Sequence, residues 1–324
     1  MLIVFHGANA ETFSIGIEDR LGAGHEVVRV SDALDGDGER EAFEKAEIIV
    51  GIALKEHHPT PRALKLYQSP AAGVDQIDVG CLPEGSTLCN AFGHETAIAE
   101  YVMAALLARH VPLVRVDAQL RQGNWEHWAG RPTGLRSELR SQTLGIVGFG
   151  HIGKAIAKAA KAFGMRVLVA NRSVVEPTDV VDESFGLERL GEMAPMVDVL
   201  LATLPLTEET RGLIGADVLS ALPNGAVIMN VGRGAVIEEH ALYDAFASGR
   251  ISGIIDTWYR YPSVENPEPH PSELPFHELP NLLMTPHMSA WTTGTIARRQ
   301  EVIVDNVRRI SRGELPVNRV YPHG

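Results

Sequence analysis

Arg233 and His287 are the two side chains whose types and surroundings best fit chemistry. Arg233 follows an apolar run at residues 226–231, in the stretch NVGRGAVIEEHAL, and His287 follows another at 282–284, in TPHMSAW. If both runs are parallel strands, their carboxyl ends border one crevice, so a cation and a titratable imidazole share a pocket. Taken singly, Arg233 also fits an ion-paired or helix-capping residue, and His287 is one of 13 histidines.

A glycine-rich turn lies between a third apolar run and an alanine-rich stretch. The sequence TLGIVGFGHIGKAIAKAAKAFG has the pattern G-x-G-x-x-G at Gly148, Gly150 and Gly153. In a strand–turn–helix unit these glycines make the tight turn, admit a pyrophosphate against the backbone and let helix and strand approach. Helix N-terminal N–H groups then hold the negative charge, so the pattern predicts a dinucleotide site. The intervening residues of that predicted site are Phe149, His151 and Ile152.

The end of the next predicted strand indicates which nicotinamide cofactor is preferred. Asn171 occupies the position where an Asp or Glu would hold the ribose 2′-hydroxyl, and Arg172 and Ser173 follow it. Because no carboxylate repels a 2′-phosphate there, and Arg172 offers charge-assisted hydrogen bonds, we expect NADP(H) to be preferred. The alternative is a solvated Arg172, with NAD(H) still accepted.

Together these residues suit the reduction of a 2-keto acid. Arg233 would bind the carboxylate and polarise the carbonyl, the cofactor would deliver hydride to carbon, and His287 would deliver a proton to oxygen. Histidine fits that step because its unperturbed pKa lies near neutral pH.

Apolar runs that alternate with amphipathic stretches predict the α/β scaffold that positions these residues. Long helices are predicted over 96–110 and 291–312 from apolar residues at helical spacing. Six prolines within 258–280 exclude a helix or strand there, and so long a loop is expected to be the wall or lid of a binding site. The remaining runs, each predicted to be a parallel strand, are 2–5, 48–54, 144–149, 167–170, 197–203 and 251–256.

The composition is typical of a globular metabolic enzyme with neither nucleic-acid nor membrane partners. Of 324 residues, 45% are hydrophobic, and the formal net charge of −12 disfavours binding to a phosphate backbone. No apolar run approaches the length of a membrane span. Cys81 and Cys89 form no C-x-x-C pair, so no metal site is expected. The start of the sequence lacks the basic region of a signal peptide, and a cytoplasmic location is expected.

Six segments resemble, in order, signatures of the D-isomer-specific 2-hydroxyacid dehydrogenases, with a glyoxylate/hydroxypyruvate reductase-like character. They are AAGVDQID, AIAEYVMAALL, GFGHIG, LPLTEETRGLI, NVGRGAVI and TPHMSAW. The resemblance implies two Rossmann-like, doubly wound α/β domains. An NAD(P)-binding domain at 101–291 would be inserted into a flavodoxin-like substrate domain formed by 1–100 and 292–324. The resemblance also implies a homodimer.

The same resemblance assigns further residues to the site. Backbone amides at Ala72 and Gly73 would bind the substrate carboxylate. His94 would contact substrate, with a surface-loop position as the alternative. The residues that would line the cofactor's path are Thr96, Leu204, Pro205, Thr210, Val231, Gly232, Asp256 and Ser289.

One position departs from the family pattern. The family usually has a Glu five residues after the position of Asp256, where it pairs with the catalytic histidine, and this sequence has Tyr261. The stretch DTWYRYP is closer to the formate dehydrogenase branch. Without that carboxylate the pKa of His287 should be lower. Three acidic residues of the proline-rich loop could replace it: Glu265, Glu268 and Glu273.

The sequence therefore predicts NADPH-dependent reduction of a small 2-keto acid, such as glyoxylate or hydroxypyruvate, to the D-2-hydroxy acid. A formate or phosphite dehydrogenase on the same scaffold is the first alternative. Direct substrate tests separate the two, because formate oxidation moves no proton through His287. A non-catalytic NAD(P)-sensing protein is the second alternative, and the presence of both Arg233 and His287 argues against it.

Overall fold

The computed structural model describes residues 1–263 and 266–322, apart from the side chain of residue 133. It divides into two compact units. The terminal unit combines the two chain ends, Met1–Gly93 and Trp291–Gly324, and the central unit is His94–Ala290. Helix Glu95–His110 lies wholly within the central unit, so the division falls before it, whereas the sequence-based division at residue 100 falls inside this helix.

The strands in chain order are β1 (Leu2–His6), β2 (Glu26–Val30), β3 (Ile48–Gly51), β4 (Leu66–Gln68), β5 (Thr87–Cys89), β6 (Thr143–Val147), β7 (Arg166–Asn171), β8 (Glu183–Gly186), β9 (Val199–Ala202), β10 (Val227–Asn230), β11 (Ser252–Ile255), β12 (Leu282–Met284) and β13 (Arg319–Tyr321). The helices are α1 (Gly7–Ser14), α2 (Ile17–Leu21), α3 (Glu39–Lys45), α4 (Glu95–His110), α5 (Leu113–Arg121), α6 (His151–Ala162), α7 (Leu190–Met193), α8 (Ala216–Ala221), α9 (Glu239–Ala247) and α10 (Thr293–Ser311).

The terminal unit is a doubly wound sheet with the strand order β13-β5-β4-β3-β1-β2. Strands β1–β5 are parallel to one another, and β13 pairs with β5 in the antiparallel direction. One face buries Phe5, Phe13 and Val307, and the other buries Phe43 and Tyr67. Because helices cover both faces, the strands are apolar on both sides, as parallel sheets require.

The central unit is a fully parallel sheet with the order β12-β11-β10-β9-β6-β7-β8. The direction of winding reverses between β6 and β9, and ligands of such sheets bind at the carboxyl ends of the strands near this reversal. Successive residues of β9, Leu200 and Leu201, pack into cores on opposite faces. The predicted α/β class, with two Rossmann-like doubly wound sheets, is confirmed.

The structure corrects the predicted elements mainly at their ends and edges. The helix predicted from residue 291 begins at Thr293, because the Thr292 side chain accepts a hydrogen bond from the Thr295 N–H and caps it. Strands β2, β4, β5, β8 and β13 were not predicted, because each is short or mixes polar with apolar residues.

The proline-rich segment at 258–280 contains, where it is described, a single short helical turn at Phe276–Glu278 and no strand. Main-chain N–H groups of Tyr259 and Arg260 donate to the Pro271 carbonyl, at 3.3 and 3.0 Å. Phe276 is buried against the rings of Trp258 and Tyr259. These contacts hold the segment against the central unit, which fits the predicted role as the wall of a binding site better than that of a lid.

Among the described residues, no single helix is long and apolar enough to cross a membrane. Helices α4 and α5, which meet at a bend of 43°, would reach that length only if they were taken together.

Candidate active site

Arg233 and His287 follow strands of one sheet, and an acidic residue follows the strand between them. Strands β10, β11 and β12 are adjacent, and Arg233, Asp256 and His287 come after their carboxyl ends. The positive charge of Arg233 lowers the pKa of His287, and the negative charge of Asp256 raises it, so all three groups are electrostatically coupled. The structure thus brings together the predicted cation and imidazole at one sheet edge.

Arg233 is presented by a tight turn that a buried asparagine organises. The Asn230 side chain accepts from the Gly232 N–H at 3.0 Å and donates to the Arg233 carbonyl at 2.9 Å. A Cβ at Gly232 would lie 2.6 Å from the Leu204 carbonyl oxygen, so only glycine fits between these strand ends. The turn leaves the Arg233 side chain partly exposed.

His287 lies in the left-handed region, with a φ of 56°. For a residue other than glycine this conformation costs on the order of 1–2 kcal/mol, so surrounding contacts must hold it. The fully buried Asp256 carboxylate supplies them. One oxygen accepts from the Thr285 hydroxyl at 2.6 Å and the Met288 N–H at 2.9 Å, and the other accepts from the Ser289 N–H at 3.0 Å. Asp256 therefore fixes both sides of His287.

Thr285 connects this brace to helix α4. Its hydroxyl proton goes to Asp256, which can only accept, so the Tyr101 hydroxyl, 2.7 Å away, must donate to the Thr285 oxygen. The Trp258 indole N–H donates to the Thr285 carbonyl at 2.8 Å. Burial raises the pKa of Tyr101, which keeps the phenol protonated for this role.

The pKa of His287 lies below its ordinary value of 6.5. Although the residue keeps part of its surface exposed, the surrounding protein atoms remove much of the hydration of the ring, and this is the largest cause. Asp256 raises the pKa in part, and Arg233 lowers it further. The direction agrees with the expectation from the sequence, and loss of hydration is the largest cause of the lowered pKa.

Tyr261 lies against His287, with ring centroids 5.5 Å apart and an angle of 54° between the planes. Of the three glutamates that could have replaced the missing carboxylate, Glu273 pairs instead with Arg260, and Glu268 is exposed. Glu265 lies outside the described residues. Among the described residues, the charges that shift the pKa of His287 are Asp256 and Arg233 alone.

The fold requires glycine at two of the three positions of the glycine turn and not at the third. Gly148 has a φ of 99°, and a Cβ at Gly153 would lie 2.3 Å from the Gly148 carbonyl oxygen. A Cβ at Gly150 would meet nothing within 4 Å, and no side chain caps the N-terminus of α6 at this residue. The fold therefore needs Gly148 and Gly153, whereas the space at Gly150 and the first-turn N–H groups fit a pyrophosphate.

Asn171 ties the glycine turn to the end of β7. Its side chain accepts from the Phe149 N–H at 3.1 Å and donates to the Ser173 carbonyl at 3.0 Å. Arg172 and Ser173 are exposed beside it. The asparagine thus has a structural task as well as standing at the predicted ribose position.

The other residues predicted along the cofactor's path divide into buried braces and exposed positions. Thr210 is buried and donates to the Pro205 carbonyl at 2.7 Å, which closes the turn after β9. Thr96 is exposed on the first turn of α4. His151 is exposed, with its Nδ1 3.9 Å from the Glu95 carboxylate. The remaining buried or partly buried members are Ile152, Leu204, Val231 and Ser289.

The three predicted substrate contacts lie in different units. Ala72 and Gly73 follow β4 in the terminal unit, and their carbonyls accept from Asn90 at 2.8 Å and Ser69 at 3.2 Å. Within the described part of the chain, their N–H groups have no hydrogen-bond partner and can receive an anion. His94, in the central unit, is buried, so the surface-loop interpretation of this histidine is wrong.

Sequence reasoning missed Asn230 and the roles of Tyr101 and Thr285. Asn230 could have been found as an amide at the end of an apolar strand, directly before the VGRG turn. No group of three or more His, Cys, Asp or Glu in the described residues is arranged to hold a metal.

Comparison with known proteins decides the family. The model of the D-isomer specific 2-hydroxyacid dehydrogenase NAD binding domain matches residues 103–289. The chain belongs to this family. It is an NAD(P)-dependent oxidoreductase, and the match spans the glycine turn, Arg233 and His287.

Relatives in sequence include enzymes named for different activities. The glyoxylate reductase of Korarchaeum cryptofilum is 33% identical over 262 residues, 79% of this chain and 76% of that protein. The chloroplastic/mitochondrial formate dehydrogenase of Arabidopsis thaliana is 30% identical over 316 residues, 93% and 79% of the two chains. The D-3-phosphoglycerate dehydrogenase of Methanocaldococcus jannaschii is 32% identical over 263 residues, 79% of this chain, which spans only 47% of that relative's length.

Solved structures with the same fold include an NADPH complex and an NADPH-dependent enzyme. A D-isomer specific 2-hydroxyacid dehydrogenase from Xanthobacter autotrophicus with NADPH is 26% identical, with a TM-score of 0.77 over 99% of this chain and 98% of that one. An NADPH-dependent glyoxylate/hydroxypyruvate reductase from Sinorhizobium meliloti is 27% identical, with a TM-score of 0.75 over 98% and 96%.

Substitutions in the glycine turn should separate folding from cofactor binding. Gly150→Ala should leave the free energy of unfolding within about 1 kcal/mol of wild type, because its φ of −80° suits alanine and the space is open. The same change should weaken NADPH and NADH binding at least about tenfold, since the methyl group occupies pyrophosphate space. Denaturant unfolding and nucleotide fluorescence titration measure the two effects.

Gly153→Ala is the matched control, because it should destabilise the protein itself by about 1–3 kcal/mol through contact with the Gly148 carbonyl. Unchanged nucleotide affinity in Gly150→Ala would show that the phosphates bind elsewhere.

Proposed function

We propose that the protein reduces a small 2-keto acid of the glyoxylate or hydroxypyruvate type to the D-2-hydroxy acid, with NADPH as the preferred cofactor. The observation that supports this most directly is the meeting of Arg233, Asp256 and His287 at adjacent strand ends. The glyoxylate reductase and glyoxylate/hydroxypyruvate reductase relatives support the substrate class.

In this proposal Arg233 binds the substrate carboxylate and orients the neighbouring carbonyl. One nitrogen of its guanidinium donates to the Gly232 carbonyl at 2.9 Å, which orients the group, and the residue is partly exposed. The planar guanidinium carries further donors that a carboxylate can accept from. The nicotinamide, when bound, supplies the hydride. His287 donates a proton to the carbonyl oxygen as that oxygen gains charge, and because the residue is exposed it then recovers a proton from solvent. The assignment of further carboxylate binding to the Ala72 and Gly73 amides stays a prediction.

The preference for NADPH rests on the residues after β7. Arg172 is exposed, and the end of β7 carries Asn171, engaged with Phe149 and Ser173, in place of a carboxylate. The charge of Arg172 is sensed by the Glu209 carboxyl, whose pKa is lowered first by a side-chain hydrogen bond and also by Arg172. A 2′-phosphate can therefore approach Arg172 without repulsion from the end of β7. NADPH in the Xanthobacter and Sinorhizobium relatives supports the same preference.

Formate oxidation is the second candidate, and the state of His287 is the observation that favours it. Formate becomes carbon dioxide by loss of hydride alone, so an imidazole with a lowered pKa and no glutamate partner among the described residues would suffice. The match to the Arabidopsis formate dehydrogenase over 93% of this chain supports keeping it.

A substrate panel with three variants tests the function. Wild type should reduce glyoxylate or hydroxypyruvate faster with NADPH than with NADH. His287→Gln should lower kcat by about 100-fold or more, because the proton donor is lost. Arg233→Ala should lower kcat/KM by about 100-fold, because a charge-assisted carboxylate contact is lost. His277→Gln, an exposed histidine of the same unit, should leave the rates unchanged.

Formate and phosphite complete the panel as oxidation substrates. Rapid formate oxidation without any ketoacid reduction would replace the proposal with the second candidate. Tight NADPH binding without turnover of any substrate would favour a sensing role. A cytoplasmic location stays a prediction.

We propose that the protein is a homodimer that uses the surface around α5. None of the residues of this helix is buried, although it is apolar on one side. Large exposed apolar surfaces mark association sites in soluble proteins. The exposed apolar residues of this surface are Leu113, Val114, Leu120, Trp125, Trp128 and Leu135.

Light scattering coupled to gel filtration tests the dimer. Wild type should have twice the mass of one chain, and Val114→Glu should have the mass of one chain at low micromolar concentration, because a buried unpaired carboxylate is costly. Val174→Glu is a matched control, since both valines are 87% exposed. Monomeric wild type would refute the dimer, and an unchanged Val114→Glu mass would refute this surface.

A further inference from the structure

Tyr261 contacts His287, the candidate proton donor, although it belongs neither to the strand-end turns nor to the glycine turn. It lies in the proline-rich segment, three residues after Trp258, whose N–H donates to the Tyr261 oxygen at 3.1 Å. This hydrogen bond and the short loop fix the phenol ring. The ring then lies 5.5 Å from the His287 ring, at an angle of 54°.

The groups around His287 define what the phenol can contribute. Asp256 lies behind the loop with its oxygens occupied by Thr285, Met288 and Ser289. Arg233 adds a positive charge from the neighbouring strand end, and it lowers the pKa of both His287 and Tyr261. Although 45% of the Tyr261 surface is exposed, partial loss of hydration raises its pKa above the ordinary value, so the phenol is uncharged at neutral pH. Tyr261 thus offers surface and no charge.

We propose that Tyr261 is a positioning residue for His287: it holds the plane of the imidazole by ring packing and, among the described residues of this segment, takes the place next to the proton donor that an ionic partner would occupy. The inference rests on the proposed function of His287 as proton donor. Packing between two rings at this separation favours the imidazole orientations that keep the contact.

The arrangement has a consequence for the pH dependence of ketoacid reduction. Reduction uses the protonated imidazole, whose population falls tenfold per pH unit above the pKa of the folded protein. Because that pKa is lowered from 6.5, kcat/KM for reduction should already decrease as the pH rises through the acidic range toward neutrality. A rate that stays flat well above pH 8 would contradict this.

Three substitutions of Tyr261 test the positioning role. Tyr261→Ala should lower kcat at least about tenfold, because the imidazole loses its packing partner. Tyr261→Phe keeps the ring and should retain most of kcat, with a lower midpoint of denaturation because the hydrogen bond from the Trp258 N–H is lost. Tyr261→Glu should raise the pKa of His287 by about 1 unit or more and extend reduction to higher pH by the same amount, because it supplies the opposite charge.

The pKa of His287 is read by NMR titration of histidine-labelled protein, with His287→Gln to assign the resonance, so one readout is independent of activity. An unmoved pKa in Tyr261→Glu, or wild-type kcat in Tyr261→Ala, would overturn the proposal. Equal loss in Tyr261→Phe and Tyr261→Ala would also overturn it, because the hydroxyl rather than the ring would then matter. If wild type reduces no ketoacid, the proposed function fails, while the titration still tests the contact between Tyr261 and His287.

Discussion

The buried carboxylate of Asp256 is the group on which the candidate site depends. It carries no solvent exposure, and its two oxygens accept three hydrogen bonds from the segment that contains His287. Those bonds keep His287 at a positive φ that an unrestrained residue would leave. Asp256, which the sequence analysis placed along the cofactor's path, therefore acts in this structure by holding the loop that contains His287. Removing one acceptor would leave a buried N–H unsatisfied and release the strain at the same time.

The parallel sheet makes this possible because its strand ends meet at one edge. Adjacent strands β10, β11 and β12 place a cation, a buried acid and an imidazole within reach of one another, and each connecting turn is fixed by contacts to its neighbour. Asn230 holds the Arg233 turn, Asp256 holds the His287 loop, and the Trp258 indole holds Thr285. In the Arg233 turn, the neighbouring backbone also leaves room for no residue larger than glycine at Gly232.

The sequence predicted parallel strands joined by helices, the glycine turn and the pairing of Arg233 with His287, because apolar periodicity and strand-end position carry that information directly. The division into two doubly wound domains came from the resemblance to the family. The sequence did not predict β13, whose residues read as a polar tail and whose pairing with β5 depends on tertiary contact. Nor could it predict that Asn171 bridges Phe149 and Ser173, or that Glu273 pairs with Arg260, since both depend on which polar groups a folded loop brings together. The left-handed His287 had no signal in the sequence, because glycine and asparagine usually mark such positions.

The most direct test is ketoacid reduction by Asp256→Asn, measured together with NADPH affinity. The amide keeps the size of the carboxylate but cannot accept on its nitrogen, so at least one hydrogen bond to the His287 loop is lost. Reduction at saturating NADPH should fall at least about 30-fold, while NADPH affinity changes less than about threefold, and Asp244→Asn on the exposed side of α9 should behave as wild type. Wild-type reduction by Asp256→Asn, or a loss confined to NADPH affinity, would contradict the role of this carboxylate in holding the proton donor.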